Sequence, residues 1–200
     1  MKRKGRLIVI SGPSGVGKGT VVKALMDRDP RVRLSVSATT RPKRPSETDG
    51  IQYHFVTHEE FERMIAEDLF LEHAQYVGNR YGTPEQAVNE MLEQGFDVLL
   101  EIEVQGGIQV MHRRPDAITI FIAAPSFEEL ARRLRGRGDT DEEKVQMRLQ
   151  QARMEYLVAP QYQFIVVNDD LEDAVDDVQS ILRTEDLRSE KQQQLLKEAL

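Results

Sequence analysis

The stretch LIVISGPSGVGKGTVVKAL, residues 7–25, restricts the fold more than any other part of the chain. An apolar run of strand length meets a loop with glycine at positions 12, 15 and 17, and an amphipathic helical pattern follows at once. A strand that turns directly into a helix has to pack that helix back across a sheet. Further β-branched runs, VRLSVS, DVLLEIE, AITIFIA and QFIVVN, are mostly continuous in their apolar character. That is the pattern of strands buried on both faces. With helical patterns between them, they predict an α/β fold, a three-layer core in which helices cover a parallel sheet.

The loop also carries chemistry. Gly12, Pro13, Ser14, Gly15, Val16, Gly17 and Lys18 fit the phosphate-binding pattern G-x-x-x-x-G-K-[ST] up to its last position, where Gly19 replaces the hydroxyl. Such glycines let successive N–H groups turn inward, the helix start adds its positive end, and the lysine reaches the β- and γ-phosphates of a nucleoside triphosphate such as ATP. Gly19 removes the usual hydroxyl ligand of Mg²⁺. Thr20 is one residue on, turned about 100° around the helix. The expectation is therefore Mg²⁺ held by phosphates and water, with no direct protein ligand. His54 and His58 are spaced by four, but across a strand end and a helix start, and are not read as a metal pair.

Composition sets limits on the rest. Two hundred residues suit one domain, 1–200, and a net charge of −7 argues against nucleic acid as a partner. There is no cysteine, no apolar run of membrane length and no secretory leader before the first strand, so a cytoplasmic protein is expected, as a monomer or a homo-oligomer.

Four helix starts have the spacing of a capping box: Thr57/Glu60, Thr83/Gln86 with Pro84 at the first helical position, Ser126/Glu129 and Thr140/Glu143. The Thr83 helix should end at Gly95. Residues 35–95 differ from their surroundings, with TTRPKRPSETDG followed by IQYHFV, which alternates like a half-exposed strand. They read as an inserted subdomain. Residues 126–157 read as two helices around RGRGDTD, a lid that can hinge at Gly136 and Gly138, and 184–200 as a polar tail. The core is left with 5–34, 96–125 and 158–183. Within the insertion, Arg41, Lys43, Arg44 and Tyr53 are suited to grip a phosphate monoester. Glu101 and Glu103, two apart on LLEIEVQG, should point to the same side of one strand. Asn168, at the end of the last strand, carries an amide that can read an adenine edge.

Six motifs in order, GPSGVGKGT, SVSATTRPKRPSETDGIQYHFV, FLEHAQYVGNRYGTP, LLEIEVQG, RLRGRG and VVNDDL, closely resemble guanylate kinase, a nucleoside monophosphate kinase on the P-loop NTPase fold. The likeness implies a P-loop NTPase core with a mixed β/α GMP-binding insertion and a helical lid. It implies transfer of the γ-phosphoryl group of ATP to GMP, or to dGMP, with Mg²⁺ as cofactor. By the same resemblance Ser37, Glu72, Thr83 and Glu103 face GMP, and Arg41, Arg44, Tyr53 and Tyr81 hold its phosphate. Glu101 organises the water shell of the metal, and Lys18 with the lid arginines Arg133, Arg137 and Arg148 acts on the transferring group. The family more often carries Asp where this chain has Glu101 and Glu103. Guanine offers N1–H and N2–H₂ side by side, a donor pair that one carboxylate accepts with both oxygens, whereas adenine has an acceptor at N1. Two other readings remain at this stage, a related kinase acting on a ribose phosphate and a kinase-like module that binds phosphopeptides without turnover.

Overall fold

A computed structural model describes residues 4–76, 78–136 and 141–188. In chain order these form β1 (Leu7–Ser11), α1 (Lys18–Arg28), β2 (Val32–Leu34), β3 (Ala38–Thr39), β4 (His54–Phe55), α2 (His58–Ala66), β5 (Phe70–Tyr76), β6 (Asn79–Pro84) and α3 (Glu85–Gln94). Then come β7 (Asp97–Glu101), α4 (Val104–Arg113), β8 (Ile118–Ala123), α5 (Phe127–Arg135), α6 (Glu142–Val158), a 3₁₀ turn at Ala159–Gln161, β9 (Phe164–Val167) and α7 (Leu171–Asp186).

The core sheet has the order β2-β7-β1-β8-β9, and every neighbouring pair is parallel. Period-two alternation divides β1 between two cores. Ile8 and Ile10 pack with Val21 and Leu25 of α1, Leu130 of α5 and Val178 of α7. Leu7 and Val9 pack on the other face with Val88 and Leu92 of α3 and Val104 and Val110 of α4. Helices on both faces explain why the strands read as continuous apolar runs. Chain order reverses around β1, which lies between β7 and β8, so the crevice at its carboxyl end is a topological switch point, where open α/β sheets bind ligands.

Strands β3 to β6 form a separate sheet, β4-β3-β6-β5, in which β5 and β6 are antiparallel and β3 pairs with both β4 and β6. Its small core stacks Phe61 of α2 on Phe70 of β5 with ring centroids 4.6 Å apart. The alternating run IQYHFV yields only the two-residue β4, and Ile51 stays exposed.

At two of the four starts the hydroxyl caps as expected: the Thr57 and Ser126 hydroxyls accept from the N–H of Glu60 at 3.0 Å and of Glu129 at 3.1 Å, while the Glu129 carboxylate turns to Arg132 and Arg133 instead of completing a box. The other two do not form as expected. Thr83 lies inside β6, and Pro84 occupies the cap position of α3 without a side-chain hydrogen bond, because the Thr83 hydroxyl is used elsewhere. At α6 the cap is Asp141, whose carboxylate accepts from Glu143 N–H at 3.4 Å, and Thr140 lies outside the described residues. α3 ends at Gly95 in the left-handed conformation, as the sequence predicts.

Candidate active site

The phosphate loop joins β1 to α1 at the switch point, and two of its glycines are fixed by close approach. At Gly12, with φ +146°, a Cβ would stand 2.2 Å from the carbonyl oxygen of Ile122 in β8. At Gly17, with φ +92°, it would stand 2.5 Å from the Asn168 amide nitrogen. That nitrogen donates to the Val16 carbonyl at 2.7 Å, so Asn168, itself buried, anchors the far side of the loop. Val16 is fully buried, Ser14 half-buried and Thr20 exposed. The first turn of α1 has no acidic residue, which leaves its positive end for an anion. Lys18 Nζ folds back over the mouth and donates to the carbonyls of Gly12 and Pro13.

Glu101 stands at the carboxyl end of β7, in register with Ile10 of β1 and beside the loop. Desolvation raises its pKa and Glu103 adds to this, while the nearby Lys18 opposes it. Glu103 departs from the sequence expectation. The strand ends at Glu101, and Glu103 occupies the cap position of α4, so the two carboxylates do not project from one strand. Ile102 N–H still reaches the Ile10 carbonyl at 3.2 Å, and the chain enters the helix just after it.

The four-stranded sheet brings together a second set of residues. Glu72 in β5 faces Thr83 in β6 through sheet pairing, and the Thr83 hydroxyl donates to Glu72 Oε1 at 2.7 Å. Both residues are buried. The other carboxylate oxygen lies against α4, where a Cβ at Gly106 would be 2.5 Å from it. Burial pushes the Glu72 carboxyl up to about 6, against the pull of the Thr83 hydrogen bonds.

This shift has a consequence for folding. A carboxyl raised from 4.5 to about 6 contributes stability that is complete below the unfolded value and is lost as pH rises through about 6. Urea unfolding without ligand should therefore show Glu72→Gln gaining about 2 kcal/mol on wild type between pH 4.5 and 7. A constant difference across that range would place the Glu72 carboxyl outside the buried pocket.

Arg41, Tyr53 and Tyr81 also converge. The Arg41 guanidinium lies 5.5 Å from the Tyr53 ring centre, and the two tyrosine rings meet edge to face at 5.9 Å. Desolvation raises the Tyr53 pKa, with smaller contributions from Tyr81, Arg41 and Glu101. Arg44 is exposed, and Ser37, just before β3, is half-buried. Glu47, which sequence reasoning missed, organises the cluster: it takes Arg41 Nη2 at 2.7 Å and the Arg44 backbone N–H at 2.8 Å. No periodicity marks Glu47, since its partners lie in the same irregular loop.

Arg133 of α5 donates to Glu129 at 2.7 Å and to the Asn168 carbonyl at 2.8 Å, and Arg148 of α6 is half-buried. Arg137 lies outside the described residues, as does Gly138. Glu155 is a second residue that sequence reasoning missed. It is 7% exposed, with Oε1 accepting from Gln151 at 3.0 Å and no hydrogen-bond partner for Oε2. Burial raises its pKa, and both Lys18 and Glu103 act on it. One signal was present: Glu155 follows Val145, Leu149 and Ala152 at helical spacing, an acid on an apolar stripe. Among the described residues no three His, Asp or Glu side chains gather as a metal cage.

The five-stranded parallel sheet, its order and the glycine loop at its switch point define a protein of the P-loop kinase class. Comparison with known proteins narrows the class. The guanylate kinase family model matches residues 4–185. Guanylate kinase from Synechococcus sp. (strain JA-3-3Ab) is 52% identical over 179 residues, covering 90% of this chain and 82% of that protein. The enzyme of the same name from Oceanobacillus iheyensis is 48% identical, covering 96% and 93%. Among solved structures, guanylate kinase from Anaplasma phagocytophilum superposes with a TM-score of 0.73 at 34% identity, over 94% of this chain and 89% of that one. The chain belongs to the guanylate kinase family. A shikimate kinase from Bacteroides thetaiotaomicron, 19% identical with a TM-score of 0.50, shares the fold alone.

Proposed function

We propose that this protein transfers the γ-phosphoryl group of ATP to GMP, with dGMP as an alternative acceptor, giving ADP and the nucleoside diphosphate. The observation that carries the reading is the buried Glu72–Thr83 pair, whose carboxylate lies against Gly106 of α4, the helix that follows Glu101 beside the glycine loop. In this reading Glu72 accepts guanine N1–H and N2–H₂, while Ser37, Thr83 and Glu103 complete the base and ribose side. Arg41, Arg44, Tyr53 and Tyr81 hold the GMP phosphate. The loop N–H groups from Gly12 to Thr20 cradle the ATP phosphates. Asn168 holds the loop through its NH₂ group, which leaves its amide oxygen for the adenine edge.

A phosphate oxygen of GMP attacks the γ-phosphorus, and the bond to the β–γ bridging oxygen breaks, with its electron pair leaving on ADP. The attacking group has a second pKa of about 6, so it is already ionised near neutrality and no general base is required. What this chain supplies is alignment, positive charge and exclusion of water. Lys18 and the lid residues Arg133, Arg137 and Arg148 carry the charge, and Arg133 exchanges its present contact with Asn168 for the phosphoryl group as the lid closes. Mg²⁺, when bound with ATP, supplies further positive charge on the β- and γ-phosphates. Glu101 beside the loop is the carboxylate that fits its water shell.

No helix among the described residues is long and apolar enough to cross a membrane, and we assign the enzyme to the cytoplasm, where both nucleotides are available. A coupled assay of ADP release should show turnover with Mg-ATP that depends on GMP and is absent with a ribose phosphate acceptor. GMP-independent ADP release, or none at all, would overturn the assignment.

A further inference from the structure

Gly19 has no backbone reason to be glycine. It lies in the first turn of α1, and it is not among the residues with positive φ. There glycine is roughly 1 kcal/mol worse than alanine. What position 19 faces is the side chain of Glu101. A Cβ at Gly19 would lie 3.4 Å and 3.7 Å from the two carboxylate oxygens of Glu101 and 3.9 Å from its Cδ. The space in front of position 19, where the common loop pattern has a hydroxyl, is bounded here by the end of the Glu101 side chain. An aspartate at 101 is one methylene shorter and would draw the carboxylate back toward β7. A Cβ alone would make only ordinary contact there, but a serine at 19 would add a hydroxyl about one bond length further on, within reach to donate a hydrogen bond to the Glu101 carboxylate.

We propose that Gly19 and Glu101 are one functional unit. With no hydroxyl at 19 to draw it into a hydrogen bond, the longer carboxylate at 101 takes over the metal-facing task that a hydroxyl at 19 performs in the common form of the loop. The proposal rests on the reading that this loop binds a Mg²⁺–nucleotide complex. It explains two departures together, glycine for Ser or Thr at 19 and Glu for Asp at 101. It also makes Glu101 dependent on the residue at 19, although the two are 82 positions apart in sequence. The donor chemistry fits, since Mg²⁺ takes hard oxygen ligands and keeps several of its waters, which a carboxylate anchors well.

A double-mutant cycle tests the coupling without turnover. Calorimetry would measure the affinity of the β,γ-imido analogue of ATP with and without Mg²⁺, for wild type, Gly19→Ser, Glu101→Asp and the double variant. The readout is the factor by which Mg²⁺ tightens binding. Each single variant should lose about tenfold of that factor, a size typical of groups around a metal. The double variant should recover to within about threefold of wild type, because a hydroxyl and a shorter carboxylate together restore the common arrangement. Serine suits a helix better than glycine, and thermal unfolding of all four proteins checks that they fold alike. Losses that multiply in the double variant, or single variants that match wild type, would overturn the proposal. If wild type binds the analogue but Mg²⁺ adds nothing, the metal role of Glu101 fails. If wild type does not bind the analogue, the phosphate-loop reading fails and the proposal with it.

Discussion

Lys18→Ala should lower the turnover number by about 10³-fold at saturating ATP and GMP while leaving the KM for GMP within about threefold of wild type. The ammonium is held at the mouth of the loop by the carbonyls of Gly12 and Pro13, so it is already placed where phosphate charge would arrive. Removing it leaves the loop backbone intact, because that conformation depends on Gly12 against Ile122 and on Asn168 against Val16. Ground-state phosphate contacts through N–H groups therefore persist. What is lost is a charge aimed at the transferring group, and a single such donor contributes about 3–4 kcal/mol to transition-state stabilisation. Stability should change little, since the side chain is half-exposed and both carbonyls can turn to water. Lys18→Arg should rescue little of the rate, because a planar guanidinium cannot take the place of a compact ammonium in so tight a loop. Steady-state kinetics with the coupled assay, alongside thermal unfolding, separates these effects. A rate loss below tenfold would make Lys18 a solvated residue at the end of a tight turn.

Some of this architecture was legible in the sequence, and the reasons differ by residue. The strands of the core could be read because both faces are covered, which leaves no polar alternation to confuse the pattern, and the loop could be read because glycine spacing reports backbone geometry directly. Thr83 was harder. The order Thr-Pro-x-Gln describes a helix start well, but local capping competes with a cross-strand carboxylate, and a partner 11 residues away in sequence won. Glu103 was misplaced for a similar reason: two-residue spacing implies a common face only while the strand continues, and β7 stops at Glu101. Asn168 was located as a strand-end amide, yet its contact with Val16 spans 152 residues and leaves no local trace. Glu47 and Glu155 were missed because their meaning depends on what surrounds them, Arg41 across its own loop for the first and a buried position on the apolar face of α6 for the second. Sequence patterns report burial and turns. They report side-chain partnership only where the partners are close in the chain.

Glu72→Gln should lower the preference for GMP over AMP, measured as a ratio of kcat/KM values, by on the order of 10³-fold, almost wholly through the loss on GMP. The carboxylate has one oxygen on the Thr83 hydroxyl and the other against Gly106, so it is fixed in orientation before any ligand arrives. An amide of the same shape keeps one acceptor and turns two N–H groups toward a base that presents N–H groups of its own. That replaces a charge-assisted pair with a single neutral bond and a repulsive contact in a buried site, where unpaired polar groups are costly. AMP has an acceptor at N1, so its kcat/KM should hold or rise slightly. The same substitution relieves the burial of a carboxylate whose pKa stands at about 6, and the variant should be the more stable protein at pH 7. Loss of selectivity together with a gain in unfolding free energy is the signature expected of a residue kept for recognition at the expense of stability. A general packing defect would lower both. Retention of full preference for GMP by a folded, more stable variant would show that guanine is read elsewhere, and would leave the Glu72–Thr83 pair as an internal strut of the insertion.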